Sequence, residues 1–161
     1  MNTFRDNGAV GALLDEYEKA VREMQQVIGL VTDEELKIIV DKDTNDADCR
    51  SIQSIVTHVV RSGYCYVIEI RSSLGEELEY PEGEILDSVS AYQEALHRMF
   101  EYNERLFADY PDLTIEENDP WKKIKVRWGQ SYDVEQLFEH AIVHVLRHRR
   151  QIERFLNELK K

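Results

Sequence analysis

The stretch SYDVEQLFEHAIVHVLRHRRQIERFLNELKK, residues 131–161, repeats apolar side chains at three- and four-residue spacing: Val134, Phe138, Ala141, Val145, Ile152 and Leu156. At about 100° per residue these fall on one stripe of an α-helix, where a strand would need alternation. Ser131 can cap its start, Asp133 and Glu135 sit near the positive end of the helix dipole, and Lys160 and Lys161 near the negative end. The segment therefore reads as one continuous helix, and it carries His140, His144 and His148, each four residues from the next.

Working back along the chain, three more periodic segments appear. Residues 9–30 place Val10, Leu13, Leu14, Tyr17, Ala20, Val21, Met24, Val27 and Ile28 in register, and Thr32 with Glu35 forms a short capping box beyond them. Residues 41–48, DKDTNDAD, read as a solvated loop. A second long helix opens at Ser51, carries a stripe of Ile52, Ile55, Val56, Val59, Tyr66, Val67 and Ile70, and ends before Gly75. A turn is expected around Tyr80, Pro81 and Gly83, and a third helix over residues 88–110, stopped by Pro111. Residues 111–130 form a connection long enough to wrap an opening, with Trp121, Trp128 and the basic run Lys122, Lys123, Lys125 and Arg127. Four antiparallel helices around one core, a single all-α domain over residues 1–161, is the economical architecture.

Composition agrees with this. The 161 residues are 42% hydrophobic and 32% charged, with 7 Gly and 3 Pro, which disfavours disorder or an all-β fold. The formal charge of -12 repels the phosphate backbone, so nucleic acid is not an expected partner. The N-terminus meets Asp6, Asp15, Glu16 and Glu18 before any apolar run long enough for a signal, and no stretch approaches a membrane span, which points to the cytoplasm. Cys49 and Cys65 fit no disulfide framework or metal-finger spacing and read as reduced thiols, Cys65 as a packing residue.

Histidines four apart on a helix are neighbours, close enough for two imidazoles to share an ion at ~2.0–2.1 Å from each nitrogen. His148 points into the apolar stripe, His144 lies one step toward its edge and His140 further round, so His144 and His148 are the pair best able to meet another helix. On the second long helix His58 projects to the flank of the stripe, roughly 120° from its centre, beside Ser62, Cys65 and Glu69. A flank position suits a ligand reaching across a groove between packed helices. Taken singly, such histidines read as hydrogen-bonded core or surface residues. A buried pair without a metal would have four ring nitrogens to satisfy inside an apolar stripe. His97 reads as a surface residue.

The segment EHAIVHVLRHRRQI resembles the last-helix signature of the DinB-like (DinB/YfiT-like) proteins, in which H-x3-H is followed by Arg and then Gln, and IVTHVV around His58 matches the histidine of their second helix. The resemblance covers the whole chain. It implies a four-helix bundle in a mirror variant of up-and-down topology, a three-histidine site for zinc or nickel on His58, His144 and His148, and a homodimer. It also implies relatives that transfer or isomerise groups with a low-molecular-weight thiol as small-molecule substrate. This chain departs from the pattern in carrying Arg149 and Arg150 where many relatives have Gly, and in adding His140, which reads as a rim residue or a proton carrier behind the ligands ahead of a fourth ligand; both are expected to change the pocket.

Three neutral imidazoles leave a coordination position open, the arrangement of a catalytic rather than a closed structural site. The chain offers no Ser/His/Asp set and no Gly-rich phosphate loop, so chemistry would rest on the metal. One expectation is a metal-dependent transferase or hydrolase, with the basic run from Lys122 to Arg127 attracting an anionic substrate, unless that run only balances Glu116, Glu117 and Asp119. The other is a non-catalytic dimeric stress-response or regulatory protein in which a metal clamps two helices. Glu69 and Glu139 are the nearest acidic candidates for a general base and read more simply as solvent-facing salt-bridge partners; Tyr132, Gln136 and Gln151 are candidates to line or orient the site.

Overall fold

Most helices of the chain begin where a short polar side chain takes over an orphan backbone N–H. In this computed structural model, which describes residues 4–161, α1 (Gly8–Ile28) starts at Asn7 without a side-chain cap. α2 (Asp33–Leu36) is a single turn closed by the Thr32–Glu35 capping box. After a 3-10 turn at Ala47–Cys49, α3 (Ile52–Ser73) is capped by Ser51 and α4 (Val89–Asp109) by Ser88. A two-residue hairpin, β1 (Ile124–Lys125) with β2 (Ser131–Tyr132), precedes α5 (Val134–Leu159). Ser131 is thus a strand residue and not the cap of the last helix. Asp133 caps it, accepting from the Gln136 N–H at 2.8 Å while Gln136 Oε1 accepts from the Asp133 N–H at 3.0 Å. Both ends of that box are satisfied, which a serine two residues earlier could not achieve.

The four long helices form the expected bundle, with one modification to their directions. α1 and α3 each pack against α4 and α5, so the order around the core is α1, α4, α3, α5. Tyr17 meets Phe100 and Gln25 meets Gln93, so α1 and α4 run oppositely. Thr57 meets Tyr92, Asn103 reaches the Gly63 carbonyl and Arg71 pairs with Asp109, so α3 and α4 run in the same direction. The fully antiparallel arrangement is therefore replaced by a variant in which the chain must return along α3 before starting α4.

Residues 74–88 make that return as an extended strap, and no turn forms at Tyr80, Pro81 and Gly83. Glu76 pairs with Arg71, Gly83 lies against Thr57 and Arg61, and the Leu86 carbonyl accepts from Gln53, so the strap follows α3 from end to start. A helix of 22 residues is about 33 Å long at ~1.5 Å per residue, a span that an extended segment of this length covers and a tight turn cannot.

The core contains Tyr17, Met24, Leu96, Met99, Phe138 and Phe155, all essentially inaccessible. α3 and α4 approach closely at Gly63, where a Cβ would overlap the Met99 side chain. The long connection between α4 and α5 crosses the end of the bundle. Its hairpin is closed by a turn with the Gly129 N–H donating to the Val126 carbonyl and Gly129 at φ 95°, a conformation that favours glycine. Val126 anchors it in the core. Cys49 and Cys65 are free thiols, and among the described residues no helix is long and apolar enough to cross a membrane.

Candidate metal centre

α3 and α5 pack in opposite directions, which brings the first half of α3 against the middle of α5. His58, His144 and His148 meet there. The Nε2 atoms of His58 and His144 are 3.0 Å apart, and each of the three rings offers a nitrogen within 4.8 Å of the others. Ring centroids are separated by 4.9 Å for His58 and His144, 5.1 Å for His58 and His148, and 4.5 Å for His144 and His148. Two nitrogens on one ion at ~2.0–2.1 Å, with angles between about 90° and 109°, stand ~2.8–3.4 Å apart. The first separation is already of that size.

The outward nitrogens support the same orientation. His148 Nδ1 lies 3.1 Å from Gln151 Oε1, an oxygen that can only accept, so the proton sits on Nδ1 and the lone pair of Nε2 faces inward. That Nε2 is buried and has no hydrogen-bond partner, an orphaned acceptor at the centre of the cluster. Asp48 Oδ2, in the 3-10 turn, is 3.1 Å from His58 Nδ1, near enough to attract its proton although too far off the ring N–H direction for a good hydrogen bond. Metal-binding histidines ordinarily turn their second nitrogen to a carboxylate or amide oxygen in this way. The residues present therefore fit a divalent ion.

Burial keeps these rings neutral. It drives the pKa of His144 down to about 2, helped by the neighbouring His148 and His58. His58 and His148 are also lowered by burial, against partial compensation from Asp48 and from the Gln151 bond respectively. Burial disfavours the charged form and a proton on one ring opposes a proton on its neighbours, so the rings stay neutral and keep their lone pairs available.

A cleft of about 330 Å³ opens onto two of the three rings, His58 and His144, and is also lined by Arg61, Cys65, Tyr66 and Arg127. His140 lies on its wall and outside the cluster, half-buried, with its ring between Tyr66 at 5.1 Å and Tyr132 at 5.7 Å. Tyr132 and Gln136 line an adjoining depression with His140 and His144.

Several expectations change. Glu69 is buried, not a solvent-facing ion pair, and accepts the Arg127 backbone N–H at 3.3 Å. Glu139 is exposed and forms no ion pair among the described residues. Arg149 leaves the pocket to pair with Glu23 of α1, and Arg150 is exposed away from the cleft. In the basic run, Lys122 pairs with Asp119 and Lys123 with Asp133, leaving Arg127 as the member that reaches the cleft. His97 is a surface residue beside Glu101. Sequence reasoning passed over Asp48, Arg61 and Arg147. The two arginines carry a signal that was available: each follows a cluster histidine by three residues and so shares its side of the helix.

The sequence matches the DinB family over residues 1–159. The fold is similar to the crystal structure of a candidate member of the DinB family from Exiguobacterium sibiricum 255-15, with a TM-score of 0.62 and 16% identity over 96% of this chain and 93% of that one. None of the curated proteins matches. With a family match over nearly its whole length, a four-helix bundle of the same fold and three converging histidines, the chain belongs to the DinB family.

Proposed function

We propose that this chain is a metal-dependent enzyme in which His58, His144 and His148 hold one divalent ion, zinc or nickel, and that it acts as a transferase or hydrolase on a small molecule, with a low-molecular-weight thiol as co-substrate. The observation that carries this reading is the conjunction of three buried imidazoles, one with an unpartnered inward nitrogen, and a cleft that reaches two of them. A divalent ion on three neutral ligands keeps its charge uncompensated and lowers the pKa of a thiol or water beside it.

The chain's own residues have separate tasks. Gln151 accepts the proton on His148 Nδ1 and fixes that ring, while the Asp48 carboxylate, 3.1 Å from His58 Nδ1, favours the tautomer with its proton there. Tyr66 packs edge-on against His144 at 5.6 Å and closes that side to water. Cys65 is not placed as a nucleophile, because burial pushes its thiol pKa up. In a thiol transfer the sulfur forms the new bond to the acceptor carbon, the leaving group departs with the electrons of the broken bond, and the thiol proton ends on it.

Zinc- or nickel-loaded protein is expected to turn over members of a thiol-acceptor panel, and His144→Ala to abolish that turnover while the helical circular dichroism stays intact. If metal raises the melting temperature but no acceptor or hydrolysable substrate shows metal-dependent turnover, the ion is a clamp and the catalytic reading fails.

A further inference from the structure

We infer that the mouth of the histidine cleft is an oxyanion subsite in which Arg61, Arg127 and Arg147 take a carboxylate or phosphate borne by the small-molecule substrate; the identity of the reacting end rests on the proposed function, the subsite itself does not.

The cleft's lining holds three arginines and no aspartate or glutamate. In a chain with 32 acidic residues against 20 basic ones, that local inversion is not what an evenly mixed surface would give. Two of the three also lack the carboxylate partner that five of the nine other arginines have among the described residues. Arg5, Arg22, Arg71, Arg98 and Arg149 each pair with a carboxylate. Among the described residues Arg127 and Arg147 have no such partner, and Arg61 has only Asp48 at 3.7 Å.

Two of the guanidiniums are delivered by the helices that deliver the histidines, Arg61 one turn after His58 and Arg147 one turn after His144. The third is fixed by its surroundings. The Arg127 guanidinium carbon stands 3.8 Å from the centroid of the Tyr80 ring, and the group donates to Cys65 Sγ at 3.4 Å. Its backbone N–H is held by the buried Glu69 carboxylate. Glu69 is thus a positioning residue that pins the crossover loop to α3, and a stacked, tethered guanidinium loses little freedom on binding. Planar guanidiniums bind carboxylate and phosphate oxygens through paired N–H donors, which ammonium groups do not match. Arg61 and Arg147 both start within one helical turn, ~5 Å, of a cluster histidine, so an anion they hold suits a substrate whose reacting atom is a few bonds from its charged group.

The test uses the full chain stripped of metal, titrated at low ionic strength with inorganic phosphate and with succinate, and followed by Trp128 fluorescence and by amide chemical shifts. Saturable binding of at least one anion is expected, weakened at least tenfold in Arg61→Gln/Arg147→Gln and unchanged in Arg22→Gln/Arg98→Gln, and the tighter of the two anions identifies the group recognised. Absence of saturable binding, or equal affinity in the cleft double variant, overturns the subsite. Zinc content of the same proteins separates the two claims: arginine-dependent anion binding in a chain that takes up no zinc leaves the subsite standing and removes the metal reading.

Discussion

α3 buries one side against α4 and another against α5, and the two seams are made of different material. Toward α4, Gly63 lets the helices touch, Met99 fills the space completely, and the Asn103 amide donates to the carbonyls of Gly63 at 3.1 Å and Met99 at 2.9 Å. Toward α5, at similar depth, His144 and His148 are 6% and 5% exposed, His144 Nε2 stands 3.0 Å from His58 Nε2, and His148 Nε2 has no hydrogen-bond partner. The first seam is complete as it stands. The second holds acceptors that an apolar side chain of the same size would not have to desolvate, which is the mark of a place kept for a ligand rather than for stability.

That contrast can be broken in graded ways. Met99→Ala should cost ~2–5 kcal/mol in chemical denaturation, by the cavity it leaves, and equally with or without metal; a much smaller cost would mean that the α3–α4 seam is loosely packed. At the histidine seam the dependence should reverse. Zinc at about 100 times its dissociation constant should stabilise the chain by ~2.7 kcal/mol. His148→Ala should remove that gain while leaving the metal-free protein about as stable as before, whereas an undiminished zinc response would place the ion elsewhere.

The residues behind the rings should matter less. Asp48→Asn and Gln151→Leu are expected to weaken zinc binding ~10–100-fold, read by competition with a chelator. If neither does, ring orientation comes from packing alone.

The pH response of the metal-free chain tests the neutral state of the rings. Burial lowers the pKa of His58, His140, His144 and His148 in the folded protein, so below the ordinary histidine value of about 6.5 the unfolded chain binds more protons than the native one. Stability is therefore fully present above that pH and falls as pH drops below it, by up to ~1.4 kcal/mol per pH unit for each ring. For His144 the window extends down to about pH 2. His144→Ala should reduce the slope by about one ring's share; an unchanged slope would mean that this imidazole is protonated in the native state.

The contrast between seams also explains what could be read from the chain alone. The three-four spacing of Val134 to Leu156 and the three other stripes were sufficient for the bundle, because a buried helix face writes itself directly into sequence. Helix direction left no such trace. Nothing in the composition of residues 74–88 distinguishes a strap from a turn, and the parallel run of α3 and α4 follows only from Thr57 meeting Tyr92 and Arg71 meeting Asp109. At the histidines the ridge on α5 and the flank position of His58 were visible as periodicity, but their meeting depends on packing between distant segments. Asp48 was hidden among the acidic residues of its loop, since proximity to a ring is not a property of local sequence. The role of Glu69 was misread for the same reason: the loop that buries it lies about sixty residues away.

X-ray absorption at the zinc edge of the loaded protein addresses the central claim most directly, since imidazole scattering counts the rings on the ion. Three imidazoles are expected in the native chain and two in His58→Ala. One or none in the native protein, or a count that His58→Ala, His144→Ala and His148→Ala all leave unaltered, would contradict the account.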